Sequence, residues 1–376
     1  MRCKYCYSNG GVGEINSIPL KIAHAAIDHI IANAINRTLK KSRDSKDRIY
    51  HNPQKDKNTT LSFHGGGEPL LEKNQQLLTQ IIEYYRNKST ENDLNFNVGV
   101  STNGAIIETR YKWVAENFNH INISFDGPAD IQNWQRPLLK GTSFGIVKKF
   151  IRFLENQNIK YGIRSTITNK SVDRMEELIE FFGNNFTAKT IHFEPAFSCG
   201  RCLENPQLAP SKEKFINSFC KAKEKAKKAN IDLLYSGCID GFPRGTFCGA
   251  ASGSNFFITP TGKVTTCLEM SRDTDSGFNV FHVGEYNGSK HRFDIDHFKI
   301  LELQKRNAKN LKGCVNCVAR LSCAGGCLAK TYWTNDDINK TGNQWWCDVN
   351  QNLLIEEIKY QLKNRGEIYG SFSNKI

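Results

Sequence analysis

Seven cysteines in the C-terminal part of this chain constrain it more than any other feature. Cys248, Gly262 and Cys267 stand as C-x13-G-x4-C, Cys314, Cys317, Cys323 and Cys327 follow as C-x2-C-x5-C-x3-C, and Cys347 closes the set. Thiols at these separations can ligate two metal clusters and make a poor disulfide framework. Gly325 and Gly326 inside the tight run let the backbone fold closely around a bulky inorganic centre. Soft thiolates with no histidine nearby favour iron–sulfur chemistry over a hard-metal site.

A chain of 376 residues with 39% hydrophobic side chains can bury a sizeable core and holds two to three domains on the usual prior of about 150 residues each. No apolar run approaches the ~18 residues of a membrane span, and the opening MRCKYCYSNGG is polar where a signal peptide would be apolar. A soluble, cytoplasmic protein without a membrane partner is expected. Thirteen cysteines in a reducing compartment then point to metal or redox use. The formal charge of +13 is concentrated in Arg37 to Lys57 and Lys212 to Lys228, without interleaved aromatics to stack on bases. A solvated loop and a solvated helix face are expected there, with no nucleic-acid partner. The functional alternative is an acidic peptide or protein drawn by long-range attraction.

The first two hundred residues alternate strand and helix patterns. Strands are predicted at Leu61 to His64, Phe96 to Thr102, Ile121 to Asp126, Tyr161 to Ile167 and Thr190 to Glu194, and helices at Pro19 to Leu39, Glu72 to Asn87, Ile106 to Asn117, Phe144 to Asn156 and Val172 to Asn185. That alternation implies a parallel sheet with helical crossovers and an active site at the strand carboxyl ends. Residues 195 to 235 read as a connector carrying a helix near Ser211 to Ala229, with Ser211 as its cap. Beyond Cys238 come short strands, Asn255 to Thr259 and Lys263 to Cys267 among them, then a helix near Val349 to Lys363. Two domains are expected, 1–235 and a cluster-stapled 236–376.

Cys3 and Cys6 form C-x2-C with Tyr5 just before the second cysteine, by itself compatible with zinc or a redox pair. His64-Gly65-Gly66-Gly67-Glu68-Pro69 follows a strand, and its glycines let backbone groups approach a ligand. Ser101-Thr102-Asn103-Gly104 and Ser124-Phe125-Asp126-Gly127-Pro128 end the next two strands with small polar groups, where a bound small molecule would be held.

Taken together, these motifs resemble the radical S-adenosylmethionine (radical SAM) enzymes with a C-terminal SPASM domain, the family of peptide and protein maturases related to anaerobic sulfatase-maturating enzymes. The resemblance covers nearly the whole chain, and the seven-cysteine pattern is its most specific part. It implies an α/β fold, a partial (β/α)6 barrel followed by the small cysteine-rich domain. It also implies a 4Fe-4S cluster that binds SAM and yields a 5'-deoxyadenosyl radical. By resemblance Cys3 and Cys6 would ligate that cluster, and Tyr5 would lie near the adenine. Gly65, Gly66, Gly67 and Glu68 would hold the SAM amino group, with Thr102, Asn103, Ser124, Asp126 and Arg164 lining the rest of the cofactor site. The family motif is C-x3-C-x2-C, whose first cysteine would fall two residues before Met1. Cys3 and Cys6 cannot by themselves hold an active cluster, so the expectation is a start assigned too late or a truncated chain lacking the first barrel strand, over an inactive homologue.

The resemblance further divides the seven cysteines between two auxiliary clusters, Cys248, Cys267 and Cys327 for the first and Cys314, Cys317, Cys323 and Cys347 for the second. Either Cys238 supplies the fourth ligand of the first, the preferred expectation, or that site stays open for substrate. Cys199 and Cys202 read as a surface-loop pair, with a substrate-contacting or redox pair as the sharper alternative. Cys220 reads as a buried structural thiol, and His64 as packed structure. The expected reaction modifies a ribosomally made peptide by a thioether or carbon–carbon crosslink or an epimerisation, with an electron donor such as flavodoxin or ferredoxin. Sulfatase maturases, which form formylglycine, place an aspartate base directly after the second SPASM cysteine; here Leu268 stands there, and Glu269 is the candidate catalytic base. Other readings are a zinc-stapled binding protein without catalysis and, more weakly, an RNA-modifying radical enzyme.

Overall fold

The structure, a computed structural model, describes residues 1–12, 16–43, 57–238 and 243–373, and for 38–43 and 364–373 the backbone alone. Six strands form one sheet in chain order: β1 (Asn58–Phe63), β2 (Asn95–Thr102), β3 (His120–Ser124), β4 (Tyr161–Ile167), β5 (Thr190–Pro195) and β6 (Asp232–Leu234). Every neighbouring pair is parallel. Parallel neighbours need crossovers, and helices supply them. α1 (Leu20–Arg43) precedes β1, and α2 (Gln75–Glu91) and α3 (Tyr111–Asn117) follow β1 and β2. α4 (Ala129–Gln135) and α5 (Ser143–Asn156) link β3 to β4, α6 (Met175–Asn185) links β4 to β5, and α7 (Lys212–Lys228) links β5 to β6. A strand order without reversal has no switch point, so the sheet is an arc of a barrel with its carboxyl ends on one rim.

Five strands stand where alternation places them. The sequence pattern leaves Asp232–Leu234 inside a connector, whereas the structure makes it the sixth strand at the sheet's edge. Three residues are too few for alternation to show. No strand precedes Cys3 among the described residues; the Arg2 and Lys4 amides bond to the carbonyls of Pro137 and Gln135. Val98, Ile121, Ile123, Ile163, Ile191 and Phe193 of the strands are fully or almost fully buried against Phe150, Ile151, Leu154 and Phe182 of α5 and α6. Each such side chain contributes roughly 1.5–3 kcal/mol of burial.

A second, antiparallel sheet follows in the order β7 (Phe257–Ile258), β8 (Lys263–Thr265), β9 (His282–Asn287) and β10 (Arg292–Ile295). Gly262, at φ +85°, makes the predicted turn, with its amide bonded to Thr259 O. Then come α8 (His297–Lys305), α9 (Leu328–Asn335) and α10 (Gln344–Ser373). α10 starts before the predicted Val349 because Asn343 Oδ1 accepts the Trp346 amide.

The two sheets have separate cores that share helices. α1 buries Ala23, Ile27, Ile31 and Ala34 in the barrel core, and Ile22, Ala25 and Ala26 in the core of the small sheet. α10 returns Trp346, Val349, Leu353 and Leu354 to the barrel core.

The basic helix α7 is capped as predicted, Ser211 Oγ accepting from the Lys214 amide. Its face is solvated as expected, Lys214, Lys221, Lys227 and Lys228 being exposed, but several of its lysines are paired. Lys214 pairs with Asp173 and Lys225 with Glu180, while Lys212 pairs with Asp348, and Lys223 and Lys227 with Glu357, on α10. The charge neutralises the molecule's own acids and docks α10. The other predicted basic run, Arg37 to Lys57, lies largely outside the described residues. No helix among the described residues is long and apolar enough to cross a membrane.

Candidate active site

At the carboxyl rim the chain's first residues fold back over the barrel. Cys3 to Gly10 form successive turns, the Cys6 amide bonding to Cys3 O and the Asn9 amide to Cys6 O, both at 3.3 Å. Both sulfurs have donors beside them: Gly10 N at 3.2 Å from Cys6 Sγ, and Arg136 Nη1 at 3.7 Å from Cys3 Sγ. The glycine loop after β1 packs against these turns, Ser8 Oγ donating to Gly66 O at 3.3 Å. A Cβ at Gly67 would meet no protein atom within 4 Å, so the space over this loop is open to a ligand.

The other predicted cofactor residues divide in two. Glu68 spans the ends of β1 and β2, accepting from Thr102 Oγ1 (2.8 Å) and the amides of Asn103 (2.7 Å) and Leu70 (3.0 Å). Burial raises its carboxyl pKa, and these donors pull it back. Asp126 is wholly buried: Tyr5 Oη, Gln135 Nε2 (2.7 Å) and the Thr166 amide (3.0 Å) donate to it, and Arg136 Nε lies at 3.0 Å. Tyr5 thus turns its hydroxyl inward, with the Arg136 guanidinium 5.2 Å over its ring. Ser124 pairs in register with Arg164, which is exposed at the rim. His64 is exposed there too, not packed as the sequence reading has it, its Nδ1 accepting from the Gly65 amide at 3.0 Å.

The seven C-terminal cysteines fall into two neighbourhoods. Burial raises the Cys267 thiol, with Glu269, Cys327 and Cys248 around it adding to the rise. Burial likewise takes Cys327 to about 12, with Glu269 and Cys248 pushing it up and Lys330 opposing. Cys347 instead has Cys323, Cys314 and Cys317 beside it, and burial takes it to about 11. This second set, with Cys327, lines a cavity of about 310 Å3. Cys238 is buried beside Tyr235 and Arg244, whose electrostatic neighbours include Cys323 as well.

Between the cysteine loop and the first neighbourhood stands a group of residues that the sequence reading largely misses. Burial raises the Tyr7 hydroxyl, with Glu269, Cys6 and Cys267 adding to it and Arg164 opposing. Glu269 Oε2 is buried with no hydrogen-bond partner. Burial raises the Glu269 carboxyl, against the attraction of Lys330 and Arg164. Lys330 Nζ lies 2.9 Å from Glu194 Oε1 and 3.8 Å from the centre of the Trp346 ring. Glu194 Oε2 and Ser236 Oγ lie 3.1 and 2.9 Å from the same His192 nitrogen, Nε2, so these three do not form a nucleophile triad, which needs both ring nitrogens. Glu194 ends β5 and could have been found by the strand-end rule; Lys330 carries no sequence signal.

Cys199 and Cys202 are buried, not on a surface loop. Cys202 packs with Ala196 and Leu208 beneath Tyr5 and Trp134. Cys220 is half-buried on α7, and burial takes its thiol to about 11.

The donor set fits iron–sulfur clusters. Trp346 Nε1 and Arg320 Nε are buried without an acceptor, and both residues wall the cysteine cavity. Sulfides and thiolates of a cluster are the acceptors such donors lack. Among the described residues no three of His, Cys, Asp or Glu converge as a single ion requires. A cluster spreads its thiolates farther apart than one ion does.

No family profile matches the chain. An uncharacterised protein of Methanocaldococcus jannaschii is 24% identical over 272 residues, 71% of this chain and 80% of that protein. A cysteine-type anaerobic sulfatase-maturating enzyme of Clostridium perfringens is 21% identical over 184 residues, 48% of this chain and 45% of that enzyme. Among solved structures, native anSMEcpe with bound AdoMet superposes with a TM-score of 0.70 at 17% identity, covering 98% of this chain and 96% of that one. Streptococcus suis SuiB bound to S-adenosylmethionine gives 0.56 at 13% identity, covering 92% and 73%.

Proposed function

The chain has the fold of the radical SAM enzymes with a SPASM domain, and on that premise we propose that it is a radical SAM maturase acting on a peptide or protein. The observation that carries the reading is Glu269 Oε2, buried and unpartnered, with Tyr7, Arg164, Cys267 and Lys330 among its electrostatic neighbours. A buried carboxylate oxygen without a donor is costly unless a ligand supplies one.

In this reading Cys3 and Cys6 would supply two of the three thiolates of the SAM-binding cluster, the motif's first cysteine falling two residues before Met1. Cys248, Cys267 and Cys327, with Cys238 as fourth ligand, hold the first auxiliary cluster, and Cys314, Cys317, Cys323 and Cys347 the second. Bound SAM and its cluster would supply one-electron hydrogen abstraction, and the auxiliary clusters would take the second electron that bond formation releases. The chain's own residues do the rest. Gly65 to Gly67 leave room for the SAM amino group, and Arg164, exposed at the rim, would contact the SAM ribose or carboxylate. Glu269 Oε2 would receive the proton that a peptide thiol or amide loses as a new bond forms, and burial, which raises its carboxyl, favours that uptake. Lys330 and Arg164 hold the charge Glu269 carries before it accepts the proton. Related structures hold peptides, Kp18Cys in anSMEcpe and SuiA in SuiB, which supports a peptide substrate here. A flavodoxin or ferredoxin would supply the electrons.

Protein carrying all three cysteines of the C-x3-C-x2-C motif, reconstituted anaerobically with SAM and dithionite, is expected to cleave SAM to methionine and 5'-deoxyadenosine. E269Q should keep that cleavage and lose product formation on its peptide by ~100-fold or more. No cleavage by protein with a full iron content would sink the proposal. The sulfatase-maturase reading keeps one observation in its favour, the overlay on anSMEcpe, and Glu269 would then replace the aspartate at the Leu268 position. A formylglycine product from a cysteine-bearing sulfatase-motif peptide would decide for it.

A further inference from the structure

The turns that carry Cys3 and Cys6 contain no helix or strand, and their own hydrogen bonds are long. A second segment holds them from outside. We propose that Arg201, in the C-x2-C segment Cys199 to Cys202, is the positioning residue of the cysteine loop, an inference that rests on the reading of Cys3 and Cys6 as cluster ligands.

The geometry is specific. Arg201 Nη1 donates to Cys3 O at 2.7 Å, Nη2 donates to Gly10 O at 2.8 Å, and the Arg201 amide donates to Cys6 O at 2.9 Å. One residue therefore ties down the carbonyls of both cysteines and the end of the loop, two of them through a single planar guanidinium. Arg201 is itself only 9% exposed, so its fork is fixed by packing. Its approach depends on Gly200, at φ +52°, where a Cβ would lie 2.3 Å from Tyr7 O and 2.4 Å from Cys6 O. Cys199 and Cys202, 6% and 0% exposed, anchor the two ends of the segment. The Cys-x2-Cys spacing is accounted for without giving either thiol a chemical role: the pair buries the short turn, and the turn presents Arg201.

A loop so held keeps the sulfur spacing that a cluster needs when the cluster changes oxidation state or SAM binds. Holding the first ligands through their backbone neighbours is the usual work of residues behind a metal site. Lysine carries the charge but has no fork, so it can replace one of the two side-chain bonds and not both.

The test compares the full-length wild type with R201K, R201Q and G200A, prepared anaerobically. Amide hydrogen exchange over residues 3–12 should rise about tenfold or more in R201Q and G200A, and less in R201K. In the reduced, reconstituted proteins the change that SAM produces in the electron paramagnetic resonance spectrum should be lost in R201Q and partly restored in R201K, a signature that loss of general stability would not give. Unchanged exchange over 3–12 in R201Q overturns the proposal. So does an unaltered SAM response in R201Q at wild-type iron content. The parent reading fails differently: C3S and C6S would then leave the SAM response of otherwise wild-type protein in place, while the exchange result for R201Q would stand.

Discussion

Replacing Asp126 with asparagine should lower the thermal midpoint of the protein by about 4–6 °C with no cofactor added. The side chain is 0% exposed and faces Arg136, 6% exposed, at 3.0 Å. Asparagine keeps an oxygen for the Thr166 amide but removes the negative charge in contact with that guanidinium, and breaking such a buried pair costs about 3–5 kcal/mol. Unfolding entropy of about 2.1 cal/mol/K per residue over 376 residues gives about 0.8 kcal/mol/K, hence the stated shift if the chain melts as one unit. Scanning calorimetry on the variant reads it directly. The double variant Asp126→Leu with Arg136→Met should recover more than half of the loss, because it removes both charges together. A midpoint within about 1 °C of wild type for D126N would refute the reasoning and return Asp126 to the role of a free SAM ligand, which adds nothing to stability until SAM binds.

Three further outcomes follow from other parts of the structure. Burial opposes the charge on Glu155, but the Thr187 amide (2.6 Å), Tyr161 hydroxyl (2.7 Å), Thr187 hydroxyl (3.0 Å) and Arg152 (3.0 Å) outweigh it and lower its pKa. Its stabilisation is complete above the unfolded value of about 4.3 and is lost as pH falls through the folded one, so urea midpoints measured from pH 7 to 3 should fall less steeply in E155Q. G127A places a methyl 2.5 Å from Leu178 Cδ2 at a backbone φ of +134° and should cost about 1–3 kcal/mol in urea unfolding; a neutral result would mean Leu178 repacks freely. K214A and K225A, whose pairs with Asp173 and Glu180 are half-exposed, should each change stability by about 1 kcal/mol or less.

The strands and helices of the barrel were legible because their residues carry period-two and helical apolar patterns over five or more positions. β6 was not, since three residues carry no period. The glycine loop, the cysteine loop and the strand ends were legible as motifs, and the structure brings them to one rim. What the sequence hid is long-range pairing: Asp126 with Arg136 and Tyr5, Glu194 with Lys330, Arg201 with the carbonyls of Cys3 and Gly10. None of these leaves a mark on local spacing. The ion pairs of the α7 lysines were hidden for the same reason, because their acidic partners lie in other elements, Asp348 and Glu357 more than a hundred positions away.

Helix α1 sits between two cores, with Ala23, Ile27 and Ile31 in one and Ile22, Ala25 and Ala26 in the other. A rod gripped on two sides transmits what happens on either. Loosening of the small sheet around Val264 and Phe293 releases one flank of α1 and so the outer support of β1, whose end carries the glycine loop. The barrel and the cysteine-rich unit are therefore not separable modules in the mechanical sense: a chain cut near residue 235 would bare an apolar stripe on α1 and take Trp346, Val349 and Leu353 out of the barrel. Either half alone should be found in inclusion bodies or bound to chaperones, where the uncut chain folds.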